Sequence, residues 1–129
     1  MPERSRDWLA QAERDLQKAE LDLEHGFYEW ACFTAQQSAE KALKALYQHL
    51  NMSVRGHSIV RLLRGLPEHL GVDEDLIHRG RVLDRYYIEA RYPNGFPEGY
   101  PAEFFDRDIA REAIDAAQKI LRFVRDKMG

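Results

Sequence analysis

The stretch that decides the fold is Glu29–Leu50, "EWACFTAQQSAEKALKALYQHL". Ala31, Ala35, Ala39, Ala42, Leu43, Leu46 and Leu50 recur at steps of three and four, which places them on one stripe of an α-helix. Ala, Gln, Glu, Lys and Leu fill the rest, all good helix formers. The many small residues on the stripe let a second helix approach closely. This helix is expected over about residues 29–50.

Working outward, Leu9, Ala12, Leu16, Ala19 and Leu23 form a matching stripe before it. A first helix is expected over about residues 6–25, with Ser5 or Asp7 as its cap and Gly26 as its end. On the other side, "NMSVRGH" is a break. Ser58 caps a short third helix that buries Ile59, Leu62, Leu63 and Leu66. Pro67 and Gly71 bracket a loop, and Asp73-Glu74-Asp75 places acids where a helix N-terminus favours them. Leu76, Ile77, Val82, Leu83, Tyr86, Tyr87 and Ala90 mark a fourth helix that must stop near Tyr92, before Pro93. Asp106 or Asp108 caps a last helix with Ile109, Ala113, Ala116, Ala117, Ile120, Leu121 and Val124 as its stripe. No segment alternates like a strand. The fold class is therefore all-α: an up-and-down helical bundle of four main helices plus one short helix, in a single domain spanning 1–129.

Composition narrows the function classes. The chain has 129 residues, 44% of them hydrophobic and 32% charged, as in ordinary globular domains. No apolar run is long enough to span a bilayer, so no membrane association is expected. The charged N-terminus lacks the apolar centre of a signal peptide, and a cytoplasmic location is the expectation. Cys32 is the only cysteine, which rules out an intrachain disulfide and a cysteine-based zinc site. His-Glu-x-x-His, a phosphate-cradling Gly-Lys-Ser loop and a nucleophile elbow are absent, and no metal or cofactor is expected. The net charge of −3 argues against a duplex-DNA binder. Yet between residues 25 and 64 only Glu29 and Glu40 stand against Lys41, Lys44, Arg55, Arg61 and Arg64. Either a local basic patch accepts phosphate there, or the surface is simply solvated and mixed in charge.

With the helices placed, "FTAQQSAEKALKALY", then "RGHSIVRLL", then "RYYIEARYP" together resemble the HEPN domain, the higher eukaryotes and prokaryotes nucleotide-binding family. The resemblance covers nearly the whole chain in order. It implies a helical bundle that forms homodimers. Some members of that family resemble metal-independent RNases, some are toxins paired with a minimal nucleotidyltransferase antitoxin, and others serve in binding or assembly. The RNase members carry Arg, four to six residues, then His, near the last long helix. In this sequence His25, His49, His57, His69 and His78 are the only histidines, and none follows residue 101. Arg64 and His69 fit the spacing by letters, but they flank Gly65 and Pro67, where a loop is expected. RNase activity of that type is therefore not the leading expectation.

The resemblance and the residues together nominate Gln37, Lys41, Lys44, His57, Arg91 and Tyr92 as ligand-binding candidates. On the second helix, Gln36, Glu40 and Lys44 share one face, and Gln37, Lys41 and Lys44 its neighbour. These side chains form a groove with amides for a base or sugar and ammoniums for phosphate. Otherwise they form an exposed Glu40–Lys44 pair with glutamines that tie helices together. His57 is a base or ligand donor, or a helix-entry residue bonded to backbone. The loop "RYPNGFPEGYP" (91–101) plugs the bundle, forms a dimer contact, or stacks a base. Arg91 is expected to reach back to carboxylates. The leading expectation is a homodimeric module that binds a nucleotide or single-stranded RNA, with a nucleotidyltransferase as partner. The rivals are a metal-independent RNase and a non-catalytic assembly protein.

Overall fold

A computed structural model describes residues 3–129. The long helices are α1 (Ser5–Glu24), α2 (Tyr28–His49), α4 (Glu74–Asp84) and α7 (Arg107–Met128). A short α3 (Ile59–Arg64) and two single turns, α5 (Tyr86–Glu89) and α6 (Pro101–Phe104), complete an all-α bundle. Two 3-10 turns, Glu68–Leu70 and Pro93–Gly95, lie in the connections.

The apolar stripes explain the packing. Ala12, Ala19, Ala31, Ala35, Ala39 and Ala42 are fully buried, as are Ala110, Ala113, Ala116 and Ala117 of α7. Such small side chains bring the helix backbones close enough for direct polar contact. Ser38 Oγ on α2 donates to the Ala12 carbonyl on α1 at 2.7 Å. Lys41 pairs with Asp15 and the Arg4 amide bonds Gln48, so α1 and α2 run antiparallel. Arg125 with Glu13, and Gln118 with Glu20, tie α7 antiparallel to α1. One continuous core joins all the long helices, with Leu43, Leu46, Ile59, Leu62, Leu63, Leu83, Ile120 and Leu121 at its centre.

The helix ends follow local chemistry. Ser58 accepts from the Arg61 amide, Asp73 from Leu76 and Asp106 from Ile109, each satisfying an otherwise orphaned N–H. Neither Ser5 nor Asp7 caps α1. Arg4 occupies that position with no side-chain cap bond, and Ser5 is the first helical residue. Gly26 ends α1 with a φ of 82°, a backbone shape glycine adopts without penalty.

The fourth helix differs from the sequence expectation of one rod running to Tyr92. It is interrupted at Arg85, which keeps right-handed helical angles (φ −63°, ψ −27°) between α4 and α5. The interruption adjoins Asp84, whose carboxylate turns to α3. Loop 91–101 is divided too. Phe96 packs on the core and stacks on Phe104, with ring centroids 4.3 Å apart, while Tyr92 and Tyr100 point outward. Among the described residues no helix is long and apolar enough to cross a membrane.

Candidate functional site

The site is assembled from three segments: the middle of α2, the residue before α3, and the α4–α5 region. Its buried centre is Glu40. One carboxylate oxygen accepts from Lys44 Nζ at 3.0 Å. The other receives His57 Nδ1 at 3.0 Å and the Gln36 amide at 3.3 Å. The Glu40 side chain is 8% exposed and that of Lys44 18%. The Glu40–Lys44 pair is thus not an exposed surface pair, as one reading of the sequence held. The reason is tertiary. Gln36, fully buried one turn earlier, donates to the His57 carbonyl at 3.0 Å and draws the 51–57 loop over α2. Gln37 in turn donates to Gln36 Oε1 at 2.7 Å. A buried carboxylate requires such partners, because desolvation without them costs several kcal/mol, of order 3–5.

His57 is therefore held from two sides. Its ring stacks on Tyr87, with centroids 4.4 Å apart and planes 18° from parallel. With Nδ1–H donated to Glu40, the neutral tautomer leaves Nε2 as the acceptor. The ring remains 54% exposed. Its backbone position is set by the next residue. Ser58 Oγ donates to Asp84 at 2.9 Å, and the Ile59 and Val60 amides donate to the same carboxylate at 2.6 and 3.3 Å. Asp84 thus clamps the start of α3 to the end of α4.

Arg91 completes the face. Its guanidinium carbon lies 4.4 Å from the ring centre of Phe33, 4.7 Å from Tyr87 and 4.9 Å from Tyr92. Its Nε donates to the Tyr87 carbonyl at 2.8 Å. Arg91 therefore reaches back to a carbonyl and three rings, not to carboxylates. A planar cation among aromatic faces gains cation–π attraction of about 0.5–2 kcal/mol per contact. Beside this face lies a cleft of about 430 Å³ lined by His57, Ser58, Asp84, Arg85, Tyr87, Ile88 and Glu89.

Of the six candidates, His57, Arg91 and Tyr92 come together around Tyr87, and Gln37 connects to them through Gln36. Lys44 joins through Glu40, but its charge is engaged there. Lys41 turns away to Asp15 on α1. Phe33, Glu40, Tyr87 and Asp84 were not among the candidates, yet they position those that were. The signal for Glu40 was its place at i+4 between Gln36 and Lys44, flanked by Ala35, Ala39 and Ala42 of the buried stripe. Arg64 and His69 lie outside the site. His69 sits in the turn Glu68–Leu70, and both side chains are exposed. Among the described residues no cluster of three His, Cys, Asp or Glu could hold a metal ion.

The HEPN domain family model matches residues 5–127. The chain resembles TT1696 from Thermus thermophilus, with 50% identity and a TM-score of 0.95, covering 98% of this chain and 99% of that one. It also resembles ST0689, an archaeal HEPN homologue, at 40% identity and a TM-score of 0.84 over the full length of both chains. A HEPN domain protein of Thermotoga maritima is 36% identical with a TM-score of 0.76, covering 93% and 95% of the two chains. A protein of Methanocaldococcus jannaschii named "Putative toxin MJ1304" is 25% identical over 92% of this chain and 84% of its own length. From its first long helix to its last, this chain belongs to the HEPN domain family.

Proposed function

We propose that the chain is a HEPN module that binds a nucleotide or single-stranded RNA, with one base held on the face made by His57, Tyr87, Arg91 and Tyr92. The observation that carries this reading is the Arg91 guanidinium set among Phe33, Tyr87 and Tyr92, beside a cleft of about 430 Å³. Flat rings and a planar cation are the surfaces on which an unpaired base stacks, without regard to its identity. Arg85 at the cleft offers donors to phosphate, and His57 Nε2 an acceptor to a ribose hydroxyl. Lys41 and Lys44 reach phosphate only by leaving Asp15 and Glu40, which gives them the smaller share. Gln37 stands at the edge as an amide for a base or ribose. Calorimetric titration with adenosine monophosphate and a short RNA tests the reading. Arg91→Ala is expected to lower affinity at least about tenfold with helicity intact, and Lys41→Ala with Lys44→Ala to lower it less. Unchanged affinity in Arg91→Ala removes this face from consideration.

The same face supports a second reading, assembly as a homodimer. Trp30 contacts Phe33 edge-on, and Trp30 and Tyr92 are 46% and 48% exposed. Trp, Tyr and Arg are the residues that dominate interface energetics. Light scattering on the intact chain and on Trp30→Ala tests it: a dimer that dissociates in the variant supports assembly through this face. A nucleotidyltransferase as a separate partner is proposed by family analogy alone; the archaeal relative's name speaks only of a toxin. Co-purification of the chain with such a protein, in fixed stoichiometry, tests that pairing.

A further inference from the structure

The 51–57 loop has a hollow on each side. Its His57 end lines the cleft described above, and its Met52–Arg55 stretch lines a second hollow of about 470 Å³. Only Gly56 separates the two linings. Gly56 has a φ of 101°, and a Cβ there would meet nothing within 4 Å. The chain bends at His57, the next residue, and the space beside Gly56 is open.

The second hollow has its own chemistry. Trp8 of α1, Lys44, Tyr47, Gln48, Ser53 and Arg55 contribute to its lining, and no carboxylate does. Lys44 is engaged by Glu40, but exposed Arg55 makes no ion pair or side-chain hydrogen bond among the described residues. Trp8 also borders a third hollow of about 440 Å³, shared with Arg4, Asp7, Gln11 and Lys41. A half-buried indole among basic groups, one ridge away from a second aromatic platform, is the pattern of a single-strand track. Rings take successive bases and a free cation takes the phosphodiester between them.

Resting on the reading of the His57–Arg91 face, we infer that the ligand is a single strand of at least two nucleotides. One base stacks on the free side of the half-exposed His57 ring, whose other side rests on Tyr87, the neighbouring base enters the hollow at Trp8, and Arg55 on the intervening ridge pairs the linking phosphate. A mononucleotide fills one platform only. A strand makes the second contact at the high effective concentration set by its own backbone.

The test is calorimetric titration of the full chain with adenosine monophosphate, then with oligoadenylates of two, three and six nucleotides, at fixed salt. Affinity is expected to rise at least about tenfold from one nucleotide to three. Trp8→Leu and Arg55→Gln are each expected to remove most of that rise while leaving affinity for the monophosphate unchanged. Arg55 is exposed, so Arg55→Gln keeps the test valid even where Trp8→Leu fails to fold. The slope of log affinity against log salt for the trinucleotide is expected to become shallower by roughly 0.7 in Arg55→Gln, one phosphate contact on a single strand. Equal affinity for one and three nucleotides overturns the track while leaving the His57–Arg91 face standing. A length dependence untouched by both substitutions also overturns it. Failure of every ligand, monophosphate included, overturns both readings together.

Discussion

His57 lies flat on Tyr87, ring centroids 4.4 Å apart, so two residues thirty positions apart in sequence form one continuous aromatic surface. Neither ring is free to choose this arrangement. His57 Nδ1 is held by Glu40 and Tyr87 is covered by Arg91. The face is set by the buried groups behind it, and it should respond when they are changed.

Glu40→Gln keeps the size of the side chain and removes its charge. The amide keeps one acceptor oxygen where the carboxylate had two, so Lys44 and His57 can no longer both be satisfied. Urea denaturation is expected to show a loss of about 1–3 kcal/mol. The His57 ring resonances should move in the same variant, since its Nδ1 partner has changed. A stability equal to that of the parent chain would show that the network contributes nothing net.

Asp84→Ala removes the clamp on α3. Three donors, the Ser58 hydroxyl and the Ile59 and Val60 amides, lose one acceptor. A loss of about 2 kcal/mol is expected, at the upper end for a helix cap. Amide exchange should quicken in α3 more than in α1, because only α3 is held by this carboxylate.

Arg91→Lys preserves charge but not shape. A lysine ammonium has no planar face to set against Phe33, Tyr87 and Tyr92 at once. The expected cost is about 1–2 kcal/mol in thermal or urea unfolding. Retention of full stability would show that charge alone suffices at this position.

Alkaline pH should weaken the fold in a defined window. Burial pushes the Cys32 thiol from 9.0 up to about 12, and the Tyr86 phenol from 10.0 up to about 12. Tyr47 is raised by burial in the same sense. Folded values above unfolded ones mean that these groups ionise first in the unfolded chain. Their contribution is whole below pH 9 and is lost as pH rises toward 12, at about 1.4 kcal/mol per pH unit for each titrating group. In Cys32→Ala the decline measured by denaturant titration should begin about one unit later, where the phenols start.

Gly65→Ala places a methyl 2.3 Å from Tyr47 Oη, which donates to the Leu62 carbonyl at 2.7 Å. The hydroxyl must leave, and a loss of about 1–3 kcal/mol is expected. Tyr47→Phe alone should cost about 1 kcal/mol. Because the phenylalanine has no hydroxyl to displace, the double variant should lose less than the two single losses together. Additive losses would show that the glycine is kept for another reason.

The bundle was largely legible in the sequence because its signals are local. The α1 and α2 stripes, the Ser58 cap and the stop before Pro93 depend on residues within a turn or two of each other. The site was legible in part. Residue types nominated His57, Arg91 and Tyr92, and the structure sets them around Tyr87. What remained hidden was long-range. The Glu40–Lys44 spacing is that of a surface pair, and only the loop drawn across by Gln36 buries it. Asp84 looks like an ordinary polar residue near a helix end until α3 is brought against it. Phe33 precedes the Gln-Gln motif and gives no sign that it meets an arginine beyond α5. Lys41 was nominated for its charge, which periodicity could not show to be met by Asp15.

The Asp84 clamp also orders events in time. The α1–α2 hairpin closes through neighbours in the chain, and such contacts form early and fast. The platform at His57 cannot form then, because its anchor and the arginine that covers Tyr87 have not yet been synthesised. During translation the first two helices emerge and pair while this face is still missing, and at about 5–20 residues per second the delay lasts seconds. Any capacity that resides there is withheld from the nascent chain until α4 and α5 have left the ribosome.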